Sequence, residues 1–233
     1  IEDLNKHHCT IEEMEEYEPH VVRGNVIYAG VDYEAILREA ENDQDGCDVI
    51  LWDGGNNDFP FYAPDLTIGI TDPHRPGHEL TYYPGEVVLR ISDAVVINKM
   101  DTASPEGIQT VRENIQSANP DAVVIDGASP IRVEHPEIIK GKRVLVVEDG
   151  PTLTHGDMTF GAGTIAARRY GAAELVEAAR YAVGSLRDTY ARYPQICQVL
   201  PAMGYGPQQV KDLEATIRAA ECDLVLCATP IDL

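Results

Sequence analysis
At 233 residues and 44% hydrophobic content, the chain is long enough to bury one large core or two small ones. Lys+Arg number 18 against 39 Asp+Glu, and the resulting formal charge of −21 repels phosphate backbones and anionic lipid heads, so neither nucleic acid nor a membrane surface is expected as a partner. No apolar run is long enough to span a bilayer as a helix, and no basic-then-apolar leader opens the sequence, so a cytoplasmic location is expected. The five cysteines (Cys9, Cys47, Cys197, Cys222, Cys227) show no C-x-x-C spacing and read as reduced, most of them as core fillers. Acidic and poor in lysine, the surface gives the expectation of a salt-adapted host, with a mildly acidic mesophilic surface as the alternative.

The chain opens at Ile1 and closes at Leu233 directly after a strand pattern, which gives the expectation of a piece of a longer polypeptide. Thr10-Ile11-Glu12-Glu13 has the form of a capping box and predicts a helix start. Asp32 is placed to cap a second amphipathic helix reaching about Asn42, with Ile36, Leu37 and Ala40 as its apolar stripe. The pattern then changes to apolar runs that stop at polar, glycine-rich turns. These are Val49 to Trp52 before Asp53-Gly54-Gly55, Leu66 to Ile70 before Thr71-Asp72-Pro73, and Ala94 to Ile97 before Asn98-Lys99. Val123 to Ile125 before Asp126-Gly127 and Val144 to Val147 before Glu148-Asp149-Gly150 complete the series.

Between two of these runs Ser104 and Pro105 open a helix to Ala118. Beyond Lys140 the pattern predicts a helix from Gly163 to about Ala182, a strand near Ile196 to Leu200, a helix from Pro207 to Ala220 and a strand from Leu224 to Ala228. Alternating buried strands and amphipathic helices predict an α/β fold with a mostly parallel sheet covered by helices. The loop Glu134 to Lys142 is the expected boundary, dividing the chain into residues 1–140 and a second α/β unit over 141–233.

Ligands of such sheets bind beyond the carboxyl ends of the strands. There Asn98-Lys99-Met100-Asp101 has the N-K-x-D form. Its Asp can accept two hydrogen bonds from the ring NH and exocyclic amine of guanine, a pair that adenine does not offer. The bland alternative is a turn that caps the next helix. Asp53 is a candidate Mg²⁺ ligand at the end of an apolar run, with Gly54 and Gly55 allowing close approach of a phosphate. Asn56 stands where a D-x-x-G motif would have Gly, and a plain tight turn remains the alternative. Ser129, after Gly127-Ala128, sits where a small-residue loop would border a base.

The loop Asp72 to Glu79 gathers His74, Arg75 and His78, either as an anion clamp or as a surface turn. The stretch Thr154 to Gly163 leads into a glycine-rich helix start, read either as an anion site with His155 as donor or general acid, or as tight helix–strand packing. His7-His8-Cys9 is a poor metal set, because consecutive side chains rarely converge on one ion.

Three strings, Ile50 to Asp58, Asn98 to Asp101 and Val147 to Gly156, resemble in order the cyclic 2,3-diphosphoglycerate synthetase family and its GTPase-like relatives. The resemblance implies a P-loop NTPase-like first half whose phosphate-binding loop lies upstream, since no G-x-x-x-x-G-K-[ST] occurs in the chain. It further implies an ATP- or GTP-dependent, Mg²⁺-dependent synthetase that closes a phosphoanhydride in a small phosphorylated acid. In that reading Asp53 binds the metal, Asn98, Lys99, Asp101, Ser129, Gly54 and Gly55 contact the nucleotide, and His155, Arg75, His74 and His78 serve the substrate. A homodimer is compatible with it. The competing expectations are a regulatory or metallochaperone-type GTPase and a non-catalytic domain.

Overall fold
The computed structural model describes residues 4, 6–44, 46–55, 58–154, 158–203 and 206–229. It is α/β, with parallel sheets flanked by helices. The chain divides into two compact units, Tyr28–Pro130 and Ile1–Ile27 together with Ile131–Leu233.

The Tyr28–Pro130 unit begins with a helix, Tyr33–Glu41, whose Ala35 amide donates to the Asp32 carboxylate at 3.0 Å, as the capping pattern predicts. Three strands follow, β1 (Ile68–Thr71), β2 (Ala94–Ile97) and β3 (Val123–Asp126), in the order β1-β2-β3 and all parallel. The register sets Gly69, Val95 and Val124 in one row and Thr71, Ile97 and Asp126 in the next. Helices α3 (His78–Thr81) and α4 (Gly85–Ile91) connect β1 to β2, and α5 (Pro105–Ala118) connects β2 to β3; Tyr33–Glu41 is α2 in this numbering. One apolar cluster, Leu89, Val95, Ile97, Val111 and Ile115, joins α4 and α5 to β2. Gly69 is required in its row, because a Cβ there would lie 2.6 Å from Ser92 Oγ. Ser104 caps α5 by accepting from the Gly107 amide at 3.0 Å, and Pro105 occupies the first turn.

The apolar run Val49 to Trp52 is not a strand. It is irregular, with Val49 72% and Leu51 80% exposed. Among the described residues no strand pairs with it, so its backbone has no ladder to join. Trp52 packs instead in an aromatic group with Tyr33, Phe61 and Tyr62, in which Tyr33 and Phe61 stack at 4.3 Å and the Tyr62 hydroxyl donates to the Tyr33 carbonyl at 2.7 Å. That group ties the irregular stretch to α2.

In the other unit, α1 (Ile11–Val22) starts with the predicted capping box: the Glu13 amide donates to Thr10 Oγ1, and the Thr10 amide donates to Glu13 Oε2. Strand β4 (Arg143–Asp149) is the centre of a second parallel sheet. It pairs with β7 (Leu224–Ala228) along its length, with β5 (Glu174–Leu175) at its start and with β6 (Leu200–Ala202) at its end. Val144, Leu145, Val146 and Val147 are fully buried, as a parallel strand covered on both faces requires. Around it lie α6 (Gly150–Thr154), α7 (Ala162–Arg169), α8 (Ser185–Arg192) and α9 (Pro207–Ala219).

The long helix expected from Gly163 to Ala182 ends at Arg169. The Gly171 backbone turns left-handed (φ +79°), the Ala172 amide closes back on the Ala167 carbonyl at 2.9 Å, and the apolar residues that follow enter the sheet as β5. The strand expected near Ile196 to Leu200 begins only at Leu200, because Pro194–Ile196 form a 3-10 turn. At α8 the capping position is Gly184, which has no side chain. Asp212 on α9 takes over the role, accepting from both the amide and the hydroxyl of Ser185 at 2.8 Å.

Candidate functional site
The carboxyl ends of β1, β2 and β3 bring three loops together within the Tyr28–Pro130 unit. β1 runs into Asp72, β2 into Asn98-Lys99-Met100-Asp101, and β3 into Gly127-Ala128-Ser129. The Asn98 amide donates to the Thr71 carbonyl at 3.0 Å, the Gly127 amide to the Ile97 carbonyl at 2.9 Å, and the Met100 amide to the Gly127 carbonyl at 3.1 Å. Gly127 lets the third loop cross the second closely, since a Cβ there would meet Val96 Cγ1 at 2.9 Å.

Within this frame Asp101 Oδ1 accepts from the Ser129 amide at 2.8 Å. Asp101 is exposed, and its second oxygen has no protein partner among the described residues. Lys99 adopts a left-handed backbone conformation (φ +54°), which non-glycine residues rarely do and which turns the loop sharply after the strand. Its ammonium reaches Asp72 Oδ2 at 3.0 Å, and the Arg75 guanidinium reaches the same oxygen at 3.1 Å.

Asp72 is therefore the centre of this rim. Its Oδ1 accepts from the His74 amide at 3.0 Å. Burial pushes the Asp72 carboxyl up, but the His74 amide, the Lys99 hydrogen bond and the charges of Lys99 and Arg75 outweigh it and hold the group below the ordinary carboxylate range. The His74 ring shares a hydrogen bond with Thr102 Oγ1 at 2.9 Å, linking the first loop to the second.

The residues expected from sequence distribute as follows. Asn98, Lys99, Asp101 and Ser129 gather on this rim, with His74 and Arg75 beside them. His78 opens α3, and its ring lies 4.5 Å from that of Tyr82. Asp53, Gly54 and Gly55 lie on the irregular stretch and not at the end of a strand, and the Gly55 amide donates to Asp58 Oδ2 at 3.2 Å. Among the described residues no group of three or more His, Cys, Asp or Glu side chains is arranged to hold a metal ion. His155 lies outside the described residues.

The glycine-rich helix start, read as an anion site, already holds an anion. Glu148, at the end of β4 and 2% exposed, accepts from the amides of Gly161 (3.0 Å), Gly163 (3.1 Å) and Thr164 (2.7 Å) and from the Thr164 hydroxyl (2.8 Å). The amides that a phosphate would use at the start of α7 are those that the chain's own carboxylate takes. Asp72 and Glu148 are the two residues that sequence reasoning left without a role. The available signal was their position, each being an acidic residue next to the carboxyl end of an apolar run.

No protein-family model matches the chain. It is 62% identical to the arginine synthetase ArcE of Thermococcus kodakarensis over 233 residues, all of this chain and 51% of that protein. It is 27% identical to the cyclic 2,3-diphosphoglycerate synthetase of Thermococcus sibiricus over 105 residues, 45% of this chain and 24% of that protein. The chain thus spans about half the length of the first relative, and its 105 matched residues cover about a quarter of the second. Along its whole length it is similar to one synthetase, and over less than half of it to another.

Proposed function
We propose that the chain is the base-recognising part of a nucleoside triphosphate-dependent synthetase. The observation that carries this reading is the rim at the carboxyl end of the three-stranded sheet, where Ser129 fixes one oxygen of Asp101 and the other stays open to solvent. A carboxylate held in this way presents an acceptor to the hydrogen-bond donors of a base edge, and its fixed orientation lowers the ordering cost of binding. The left-handed turn at Lys99 and the bond from Met100 to Gly127 keep the tetrad in register with β3. The nucleotide is ATP or GTP. A bound Mg²⁺ would neutralise its phosphates and polarise the transferring group, and Asp53 is the candidate ligand in this chain.

The product class follows the stronger of the two similarities. The relative aligned over the whole chain is named an arginine synthetase, which favours arginine over a cyclic phosphoanhydride as the product. The loop itself agrees with this choice. Lys99 and Arg75 are both hydrogen-bonded to Asp72, so the cations that would clamp a highly charged phosphorylated acid are partly neutralised within the chain. His74, hydrogen-bonded to Thr102, holds the loop in place.

Any synthetase must also run backwards. The full-length protein given arginine, a nucleoside diphosphate and phosphate is expected to join diphosphate and phosphate into the triphosphate with loss of water, while the bond whose formation completes arginine is cleaved by water to release its two precursors, with a clear preference between ADP and GDP. Formation of a cyclic product from 2,3-diphosphoglycerate with ATP would support the second relative's activity instead. Triphosphate hydrolysis that is independent of either compound would point to a regulatory GTPase.

A further inference from the structure
The three-stranded sheet of the Tyr28–Pro130 unit carries apolar side chains on both faces, yet its described helices cover only one. The register places Ile68, Ala94 and Val123 in one row and Ile70, Val96 and Ile125 in another, both on the face opposite Val95 and Ile97. Val95 and Ile97 are fully buried against α4 and α5, whereas Ile68 is 54%, Ile70 52%, Val123 63% and Ile125 45% exposed. The asymmetry has a topological cause. Both crossover connections of a right-handed β1-β2-β3 progression fall on the same side, so helices α3, α4 and α5 leave the second face to something else.

Ala94, on the central strand, is already buried (8%), and the other five apolar residues of the two rows, with no charge among them, do not make a water-facing surface. Parallel sheets are covered on both faces, and an antiparallel-type alternation of apolar and polar residues is missing here. A contiguous apolar patch of this kind marks an interface. Two copies of this chain are poorly suited to meet there, because each carries a formal charge of −21 and their mutual repulsion opposes close approach. The Thermococcus kodakarensis relative supplies a better occupant. It aligns with every residue of this chain, yet the chain amounts to only 51% of its length.

We infer that this face is covered by an amphipathic helix from the part of the polypeptide, as in the longer relative, that these 233 residues do not span. Its apolar stripe packs across Ile68, Ile70, Val123 and Ile125. The cover is intramolecular and is independent of the reading of the nucleotide rim.

Carbene footprinting of the wild-type full-length protein tests this without any risk of misfolding. Ile68, Val123 and Ile125 are expected to label at least about fivefold less than Val210, an exposed residue on α9. In the same protein Val123→Asp is expected to lower Tm by several degrees, with Val210→Asp near wild type. Equal labelling of Val123 and Val210 would overturn the inference, as would a Val123→Asp protein as stable as the control. Protection that disappears on dilution together with a halving of the mass would also overturn it, by showing that a second copy covers the face.

Discussion

The Lys99 ammonium lies 3.0 Å from Asp72 Oδ2 and joins the loop after β2 to the loop after β1. The pair is partly open to solvent, with the lysine side chain 41% exposed, so its loss should cost less than about 1 kcal/mol. The pH dependence is more telling. Because the folded Asp72 carboxyl is held below its ordinary range, its contribution is present above the unfolded pKa and lost as pH falls through the lower folded value. Lys99→Met removes a hydrogen bond and a charge that lower that value. Urea denaturation at a series of pH values should therefore show the variant less stable by up to about 1 kcal/mol near neutrality, with the difference shrinking as pH falls and the Asp72 carboxyl takes up its proton.

Glu148 is a stronger determinant of stability. It is buried and accepts four hydrogen bonds, and Glu148→Gln places an amide NH₂ among donors that have no other acceptor. A loss of about 3 kcal/mol is expected in urea denaturation. Gly161→Ala should also destabilise, because its Cβ would fall 2.4 Å from Glu148 Oε2. If the start of α7 were a ligand site with Glu148 as a passive neighbour, Glu148→Gln would leave stability unchanged and alter only ligand binding.

How far the sequence was legible follows from what each feature depends on. Local chemistry read correctly: Thr10, Asp32 and Ser104 cap the helices they precede, and the strands ending at Thr71, Ile97 and Asp126 stand where their polar stops place them. Asn98 to Asp101 and Ser129 lie on one rim because both loops leave parallel neighbours at the same end. Features that depend on a distant partner were not legible. Val49 to Trp52 has the composition of a buried strand, but a strand also needs a neighbour to pair with. Of the two readings of the glycines before α7, tight helix–strand packing describes Gly163, where a Cβ would meet Val146 Cγ1 at 2.7 Å, whereas the anion-site reading missed Glu148, 13 residues upstream of Gly161, because nothing local shows that it takes the free amides. The helix after Gly163 read too long because the left-handed turn at Gly171 outweighs the apolar period that continues beyond it.

The core of the Tyr28–Pro130 unit rests on few side chains. Ile97 and Ile115 are fully buried in its apolar cluster, so Ile115→Ala should cost about 3 kcal/mol, with little change at the exposed Ile138, which belongs to the other unit. Thermal or urea unfolding of the two variants checks this directly.

The charge of the chain predicts a response to salt. A formal charge of −21 on 233 residues destabilises the compact state by self-repulsion, which ions screen within a Debye length of about 3 Å at 1 M. Tm is expected to rise between 0.1 and about 1 M KCl, and a flat or falling Tm would show that pairs such as Arg112–Asp126, at 2.7 Å, contribute more than the net repulsion.

Nucleotide affinity of the full-length protein carrying Asp101→Asn, measured by calorimetry with ATP and with GTP beside wild type, is the most direct test of the nucleotide rim. The substitution keeps the shape of the side chain and its link to Ser129 while removing the charge that faces solvent. A loss of at least about tenfold for the preferred nucleotide, with Tm unchanged, is the predicted result. Equal affinities in the two proteins would contradict the assignment of this rim to the base.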